Sequence, residues 1–599
     1  MSLKKSPLHI LKRNLSLLIR SIKLDCVYFF MRLFWTLFGS VITVLNVIIP
    51  KYLIEAVLAK DTKAAFYILV FTLGINLINS IIESILSPRF ATRKEKINVK
   101  VIDAFLSKSF SLKLVNFDNA EFYDKYSIVF DNCCTIIHTA LDTFLSIVSA
   151  ITQISLVFSI LFWMNKIVLI IMVFVILVQL LIDRRRKDLQ YNYQVDVAKD
   201  NRQLNYLYRL FYVPQFMRDI RINSLKDFIF SKKKRATDAL VENMGKTQKK
   251  ISIITLFTSV ISHIESFLIS AYFVIKAYQG YILVGDFFVS INSYNSLKAS
   301  ISSLFSTYNS LYSNDLYIND YLYFMDIDEQ NEEVVSHTKI LHEIESIEFC
   351  NVSFSYPNSS FKALDGVSFK VNKGDKIAII GSNGAGKTTI IKLLLRLYEP
   401  QDGSIKINGI NISEYDIVSL RKLFSVLFQD YAIYPFSLRE NITLGKNLTD
   451  QVVKDSLQKV GLSEKIKSLP LGLDTPITSQ MFDCGVEFSG GESQRIALAR
   501  IYASSSKFVI LDEPTSNLDP YIEYELYNSL LSEFENRTVI IISHRLTFTY
   551  KMNRILYFNE GKLIEEGTHD DLLRDNGYYA KMYNLNVEKY TSARDWRNI

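Results

Sequence analysis

The stretch GSNGAGKTT occupies residues 381–389, directly after the apolar run KIAII and directly before IIKLLLRLY. A buried strand, a glycine-rich turn and an amphipathic helix in this order match the phosphate-loop pattern G-x-x-x-x-G-K-[ST]. Glycines allow backbone amides to converge on phosphate oxygens, and the start of the helix adds a favourable dipole. The stretch therefore predicts an α/β fold for this part of the chain, with nucleotide phosphates bound at the turn.

A second apolar strand, KFVILDEP at 507–514, ends in two carboxylates. A carboxylate at the end of such a strand, close to the phosphate loop, is suited to hold Mg²⁺. We assign Asp512 and Thr388 to Mg²⁺ and Lys387 to the β- and γ-phosphates. Glu513, the next carboxylate, is assigned to polarising the attacking water. The other loop residues assigned to the nucleotide are Gly381, Ser382, Asn383, Gly384, Ala385, Gly386 and Thr389.

The segment FSGGESQRIALAR at 488–500 resembles the signature of ATP-binding-cassette (ABC) proteins. Further motifs in VSFSYP, LFQD, SNLD and IISHR extend the resemblance over roughly 345–585. It implies an α/β nucleotide-binding domain with a mostly parallel sheet, and ATP and Mg²⁺ as cofactors. The roles that the resemblance implies are adenine stacking for Tyr356, catalysis for Glu513, His544 and Gln429, Mg²⁺ contact for Gln429, dimer contact for Asp519, and phosphate binding for Ser489, Gly490, Gly491 and Glu492.

The signature departs from the usual L-S-G-G-Q at Phe488 and Glu492. We interpret Phe488 as a packing residue. Glu492 brings a carboxylate close to a site meant for phosphate, although at a helix N-terminus, where the dipole favours negative charge. We expect a tolerated variation rather than an inactive site.

The first half of the chain carries six apolar runs near bilayer length, at about 27–54, 65–87, 138–163, 167–183, 251–278 and 282–306. They predict a membrane-embedded, all-α, six-helix domain ahead of the cassette. The predicted domain boundaries are 1–325 for the membrane domain with its helical extensions, 326–345 for a linker, 346–585 for the cassette and 586–599 for a tail. The charged stretches after the second and fourth runs indicate spans that continue well into the cytosol. Within them, LVNFDNAEFYDKY at 114–126 resembles a coupling segment of the ABC family.

Basic residues cluster before the first run and after the second and fourth runs, whereas the opposite loops are short. By the positive-inside rule this places both termini in the cytosol. The predicted location is the cytoplasmic membrane of a bacterium, with the lipid bilayer as a partner. The ionisable residues inside the runs favour either a polar translocation path or pairing between helices. They are Glu83, Asp142, His263, Glu265 and Asp286.

In the ABC family, the signature of one cassette closes over the phosphate loop of another. Because this chain carries one cassette, the resemblance implies a two-chain unit, and intact motifs favour a homodimer with two competent sites. Fusion of spans and cassette resembles exporters. No basic stripe with a nucleic-acid reader motif is present, so we expect no nucleic-acid partner.

The finer resemblance is to exporters of lantibiotics and related bacterial peptides, which makes a peptide the expected cargo. A lipid or hydrophobic-drug exporter, and an ATP-gated channel or regulator, are the alternatives. Polar residues of the sixth run are expected to line a wet cavity, unless that stretch lies below the membrane. They are Asn292, Tyr294, Asn295 and Ser303.

Overall fold

A computed structural model describes residues 7–164, 166–327, 339–357, 359–479, 482–515, 520–546 and 548–585. The chain divides into two compact units. The first comprises Met1–Ser107 and Lys125–Ile327, and the second comprises Lys108–Asp124 and Asp328–Ile599. The segment that resembles a coupling segment is thus divided between the units, with its larger part in the second.

The first unit is helical. The described helices in this part of the chain are α1 (Pro7–Leu24), α2 (Cys26–Leu58), α3 (Thr62–Phe110), α4 (Leu114–Phe117), α5 (Ala120–Met164), α6 (Lys166–Tyr212), α7 (Pro214–Ile222), α8 (Lys226–Tyr278) and α9 (Val284–Asp326). The short helix α4 belongs to the second unit. At about 1.5 Å per residue, α3 is about 74 Å long, well beyond a hydrocarbon core of about 30 Å. One continuous helix therefore contains both the second apolar run and most of the charged stretch that follows it.

Four helices in the described residues are long and apolar enough to cross a membrane: α2, α3, the Lys125–Met164 part of α5, and α8. A shorter apolar helical segment covers Lys166–Ile176 of α6. In the described part of the chain, α9 does not reach the same apolarity, because Ser, Asn and Asp recur along it. The membrane domain is helical, and the number of six spans stays a prediction.

Carboxylates of the predicted spans pair across helices. The pairs are Asp142 with Arg32 at 2.6 Å, Asp286 with Lys51 at 2.7 Å, and Glu265 with Lys298 at 3.1 Å. They support pairing between helices rather than an open path for these three carboxylates. His263 Nδ1 lies 2.7 Å from the carbonyl oxygen of Ser259 on its own helix, and Glu83 is exposed.

Tyr294 corrects one expectation for the sixth run. Its side chain is 1% exposed and packs in an apolar cluster with residues such as Phe273 and Leu297. Its hydroxyl accepts a hydrogen bond of 3.0 Å from Lys298. Within the described residues, Tyr294 is therefore part of the helix packing, contrary to the expectation that it faces water. Of the other three residues, Asn292 is half-buried, and Asn295 and Ser303 are exposed.

The second unit is an α/β domain. Its described strands are β1 (Ser346–Phe354), β2 (Leu364–Asn372), β3 (Lys376–Gly381), β4 (Asp402–Ile407), β5 (Ile410–Asn411), β6 (Phe424–Leu427), β7 (Phe508–Asp512), β8 (Thr538–Ile542), β9 (Arg554–Asn559) and β10 (Lys562–Gly567). Its described helices after α4 are α10 (Lys387–Leu394), α11 (Ile417–Lys422), α12 (Leu438–Thr443), α13 (Asp450–Lys459), α14 (Ser463–Lys467), α15 (Gly490–Ala503), α16 (Pro520–Glu533) and α17 (His569–Arg574).

The strands form two sheets. The larger has the order β10-β9-β3-β8-β7-β6 and is parallel except for the β10–β9 pair. The second has the order β2-β1-β4-β5 and is antiparallel. In the parallel sheet β3 lies next to β8, which pairs with β7. The carboxyl ends of β3, β7 and β8 therefore meet at one edge, where parallel α/β sheets bind ligands.

The apolar runs of β7 and β8 form the centre of the core. All five residues of β7 and all five of β8 are buried, as expected for strands covered on both faces. One apolar cluster packs α13, α15 and α16 against the sheet, and another packs α10 and the antiparallel sheet against it. Because both faces of these strands are packed, the positions of the strand ends are fixed. The side chains that directly follow the strand ends are therefore held in place as well.

Candidate functional site

The turn after β3 forms the predicted phosphate loop. Gly386 has φ +91° and precedes α10. A Cβ at Gly386 would lie 2.2 Å from the carbonyl oxygen of Ala363 and 2.7 Å from Leu364 Cδ2. Only glycine meets both the left-handed backbone and this close approach. The sequence pattern thus has a direct steric cause here.

Lys387 points back into the loop. Its Nζ donates hydrogen bonds to the carbonyl oxygens of Gly381 (3.0 Å) and Ser382 (2.9 Å). Burial lowers the pKa of Lys387, while the nearby carboxylates of Glu513 and Asp512 act in the opposite direction. An ammonium group held in this way is placed among the backbone amides that would receive phosphate oxygens.

Three predicted catalytic side chains meet at the ends of β6, β7 and β8. Glu513 Oε2 accepts a hydrogen bond of 2.9 Å from Gln429 Nε2, and Glu513 Oε1 lies 3.2 Å from His544 Nδ1. Glu513 has φ +48°, and its amide donates to the carbonyl oxygen of Ile542 on β8. This left-handed turn immediately after the strand brings the carboxylate into the group. Its side chain is 12% exposed, so it is shielded but still reachable by solvent.

Asp512 and Thr388 provide an arrangement that fits Mg²⁺. Asp512 Oδ2 accepts a hydrogen bond of 2.8 Å from Thr388 Oγ1. Oδ1 of Asp512 is buried and, among the described residues, has no hydrogen-bond partner. Burial raises the pKa of Asp512 to about 6. A buried carboxylate oxygen without a partner, next to a hydroxyl, matches the oxygen ligands that Mg²⁺ takes together with substrate phosphates.

A cavity of about 480 Å³ connects these groups. Of the predicted site residues it is lined by Tyr356, Asn383, Gly384, Gly386, Lys387, Thr388, Thr389, Gln429, Glu513 and His544. It is also lined by Ser359, Phe361, Lys362 and Ala363, which sequence reasoning missed. Those four lie between β1 and β2, where the sequence carries no phosphate-binding pattern to mark them.

Tyr356 forms one wall of the cavity and connects it to the segment around α4. Its hydroxyl shares a hydrogen bond of 3.2 Å with Thr389 Oγ1, and its ring lies edge-on to Tyr398 at 5.3 Å. The Tyr398 hydroxyl donates to Asp118, and Lys113 in the same segment pairs with Glu399 at 3.1 Å. Burial, with this bond as a further cause, raises the pKa of Tyr398, which keeps the hydroxyl a donor.

The signature residues begin α15 and form a capping box. The Ser489 hydroxyl accepts a hydrogen bond from the Glu492 amide (3.3 Å), and Glu492 Oε2 accepts one from the Ser489 amide (2.8 Å). The sequence S-G-G-E matches the S-x-x-E pattern of such boxes, a signal that the sequence analysis did not use. Glu492 therefore has a local structural role at a position where glutamine is usual.

A lysine outside the signature completes this arrangement. Lys465 Nζ on α14 lies 3.2 Å from Glu492 Oε1 and 5.4 Å from the ring centre of Phe488. Burial opposes ionisation of Glu492, but the Ser489 amide and Lys465 outweigh burial, and the pKa of Glu492 is lowered. The carboxylate is thus charged and paired. Sequence reasoning missed Lys465.

Gly490 and Gly491 lie at the start of α15, with the Gly490 carbonyl accepting a hydrogen bond of 3.1 Å from the Tyr431 hydroxyl. The signature does not contribute to the lining of the cavity as far as the described residues show. Gln494, further along α15, donates to the Glu513 carbonyl at 3.5 Å. Asp519 lies outside the described residues.

Comparison with known proteins agrees with these features. The family model described as "ABC transporter" matches residues 364–516. The chain is 29% identical over 560 residues to the subtilin transport ATP-binding protein SpaT of Bacillus subtilis, covering 92% of this chain and 90% of that protein. A solved structure of a bacterial Atm1-family ABC exporter with ATP bound superposes with a TM-score of 0.79 at 21% identity, over 94% of this chain and 99% of that one.

Other relatives match over shorter lengths. The ATP-dependent lipid A-core flippase of Burkholderia orbicola is 37% identical over 243 residues, which are 41% of this chain and 40% of the flippase. The β-(1→2)glucan export ATP-binding/permease protein NdvA of Bartonella bacilliformis is 32% identical over 325 residues, or 54% of this chain and 53% of that protein. The chain thus covers about half or less of these two relatives.

Proposed function

We propose that this chain, which is an ABC half-transporter of the exporter type, couples ATP hydrolysis to the export of a peptide across a bacterial cytoplasmic membrane. The observation that carries the proposal is the contact of Glu513 with both Gln429 and His544 at the rim of the phosphate-loop cavity. A carboxylate held in this way is suited to orient water for attack on the terminal phosphate of ATP.

Each side chain has a defined task in the proposed reaction, and Gln429 has two. Tyr356 stacks on adenine, and the loop amides with Lys387 hold the phosphates. Glu513 orients and polarises the attacking water, while Gln429 and His544 fix its carboxylate. Mg²⁺, when bound, would neutralise phosphate charge. Asp512, Thr388 and Gln429 would hold it.

The working unit in this proposal contains two copies of the chain. The described lining of the cavity comes from the phosphate loop, the segment 356–363 and the strand ends. Ser489, Gly490 and Gly491 lie at the start of a different helix, α15. A signature supplied by the second chain would provide amides and a hydroxyl for the γ-phosphate. Asp519 is proposed for the contact between the two cassettes. The simplest such unit is a homodimer with two equal sites.

For the membrane half we propose six spans with both termini in the cytosol. Four apolar helices, the apolar start of α6 and the length of α9 are consistent with six crossings. Basic residues on one side of the runs support the orientation. The proposed domain boundaries remain 1–325, 326–345, 346–585 and 586–599, with the coupling part of 108–124 packed in the cassette unit.

Peptide is the proposed cargo because the subtilin transport protein matches over nine-tenths of both chains. This match includes the membrane half, where cargo must pass. The second candidate is lipid export. It is favoured by the lipid A-core flippase, whose identity is higher but whose match covers 41% of this chain.

Reconstituted vesicles distinguish the two cargoes. The full chain is incorporated into liposomes, and ATP-dependent uptake of fluorescein-labelled subtilin is measured beside flipping of a fluorescent phosphatidylethanolamine. We expect peptide uptake and peptide-stimulated ATPase activity that both vanish without ATP. Lipid flipping without peptide uptake would replace the peptide proposal by lipid export. No ATPase activity in any condition would remove the transport proposal altogether.

A further inference from the structure

The two departures from the usual signature share one partner. Lys465 places the same ammonium group 3.2 Å from Glu492 Oε1 and 5.4 Å from the ring centre of Phe488. A cation near an aromatic face is attracted by the ring quadrupole, so both contacts favour the same position of the ammonium group. The three residues therefore form one unit, although Lys465 precedes the signature by more than twenty residues. We call Lys465, Phe488 and Glu492 the signature triad.

Both carboxylate oxygens of Glu492 have separate partners. Oε2 accepts the hydrogen bond from the Ser489 amide that fixes the start of α15, and Oε1 pairs with Lys465. The side chains of Glu492 and Lys465 are 19% and 32% exposed, so solvent screens this pair less than a pair on an open surface. The carboxylate is held in position by one contact and neutralised by the other.

This neutralisation matters because of what the signature is proposed to bind. In the proposed function the start of α15 approaches the phosphates of ATP, which are strongly negative. An uncompensated carboxylate there would repel them, whereas the usual glutamine carries no charge. Together, Glu492 and Lys465 have a net charge of zero, as glutamine has. Glutamate can therefore keep the capping box without bringing uncompensated negative charge to the site.

We propose that Lys465 is a positioning residue for ATP hydrolysis. It neutralises Glu492 and holds the carboxylate in place, which allows glutamate to stand where the signature usually has glutamine. This rests on the proposed function, because it concerns the same ATP site. Lys465 has no predicted contact with ATP and acts through Glu492. The importance of Lys465 should therefore depend on the charge of residue 492. A purely structural role of Lys465 would not show this dependence.

A double-mutant cycle on the full chain in lipid nanodiscs tests this dependence. The proteins are the wild type, K465M, E492Q and K465M/E492Q, and the measurements are kcat and KM for ATP. Methionine keeps an unbranched side chain of similar length but removes the charge. We expect K465M to lower kcat/KM about fivefold when residue 492 is glutamate, and less than about twofold when it is glutamine.

Control variants separate charge from packing. K467M, in the same short helix, removes the exposed pair of Lys467 with Glu464 and is expected to leave ATPase activity unchanged. K465R restores the charge and should recover most of the wild-type rate. K465Q gives a second neutral variant with a different shape, and unfolding temperatures identify any variant that does not fold.

The outcomes are distinct. Equal losses from K465M in both backgrounds, or no loss in either, overturn the role of Lys465 while an active wild type leaves the proposed function intact. A wild type without ATPase activity overturns the proposed function, and the role of Lys465 with it. A loss that disappears with E492Q, and that falls mainly on KM for ATP, supports the signature triad.

Discussion

At the scale of single residues, substitution of Glu513 is the most direct test of the proposed chemistry. Glu513→Gln keeps the shape and the bond to Gln429 but removes the group that polarises water. We expect phosphate release to fall between about a hundredfold and ten-thousandfold, with ATP binding retained. Phosphate release and binding of a fluorescent ATP analogue are measured on the purified full chain. Glu535→Gln, an exposed glutamate outside the cavity, is the matched control; near-normal release by Glu513→Gln would exclude the assignment.

Glu492 allows a second test at this scale, because two substitutions remove different contacts. Glu492→Gln keeps an oxygen for the Ser489 amide and loses the pair with Lys465, so basal ATPase activity should change less than about tenfold, or about 1.4 kcal/mol. Glu492→Ala loses the reciprocal cap as well and should cost about 1 kcal/mol of cassette stability. Thermal unfolding and ATPase assays measure both. A rise above tenfold for Glu492→Gln would show that the carboxylate restrains the enzyme.

The sequence could indicate where the residues of the candidate site lie because their signals are local. Glu513 ends an apolar strand and Lys387 follows a glycine-rich turn, and the fold brings both to the same sheet edge. The cap of α15 was also local, since Ser489 and Glu492 are three residues apart. The contact of Lys465 with Glu492 could not be predicted from the sequence, because it depends on how α14 packs beside α15.

At the scale of elements, the link between the nucleotide cavity and the segment around α4 makes a specific prediction. Tyr398 contacts the ring of Tyr356 and donates to Asp118. Tyr398→Phe keeps the ring contact and removes the donor. We expect basal ATPase activity within about twofold of the wild type, and cargo-stimulated activity and export reduced several-fold, since one hydrogen bond to a charged group is lost.

The control for this prediction is Tyr550→Phe, which removes a hydroxyl from a half-exposed tyrosine elsewhere in the cassette. Asp118→Asn, which retains an acceptor for the Tyr398 hydroxyl, should have a milder effect than Tyr398→Phe. If Tyr398→Phe lowers basal and stimulated activity by the same factor, Tyr398 serves the ATP site alone and does not transmit a signal.

Some secondary-structure elements could be predicted from the sequence and others could not. The strand–turn–helix around the phosphate loop and the long helices that continue past the apolar runs were predicted and are present, as α3 shows with its 49 residues. The antiparallel sheet β2-β1-β4-β5 was not predicted, because β1 pairs with β4 across about fifty intervening residues and such pairing leaves no local pattern. Tyr294 was misplaced because its polar neighbours suggested water, whereas its ring is buried between helices.

At the scale of the whole molecule, the proposed two-chain unit predicts complementation between inactive variants. Lys387→Ala removes the phosphate contact of its own chain, and Ser489→Arg blocks the signature that would serve the partner. Each homodimer should be inactive. In a mixed dimer one site has an intact loop and an intact signature, so co-expression should restore roughly a quarter of the wild-type ATPase activity.

The same experiment has an internal control. A chain that carries both substitutions, co-expressed with the wild type, gives mixed dimers in which each site contains one defect. If each chain instead completes its own site, the two single variants will not complement each other in any ratio. Tandem affinity tags on the two chains allow the mixed dimer to be purified and its activity measured directly.

The pairing of Lys465 with Glu492 also constrains the order in which this site could have evolved. Beside an ancestral glutamine, a new lysine at position 465 would have been nearly neutral to selection. A glutamate at position 492 arising first would have met no compensating charge and would have been selected against. The proposed role of Lys465 therefore predicts that the lysine arose before the glutamate. Among descendants of one ancestor, lineages with lysine beside glutamine should be common, and lineages with glutamate lacking that lysine should be scarce.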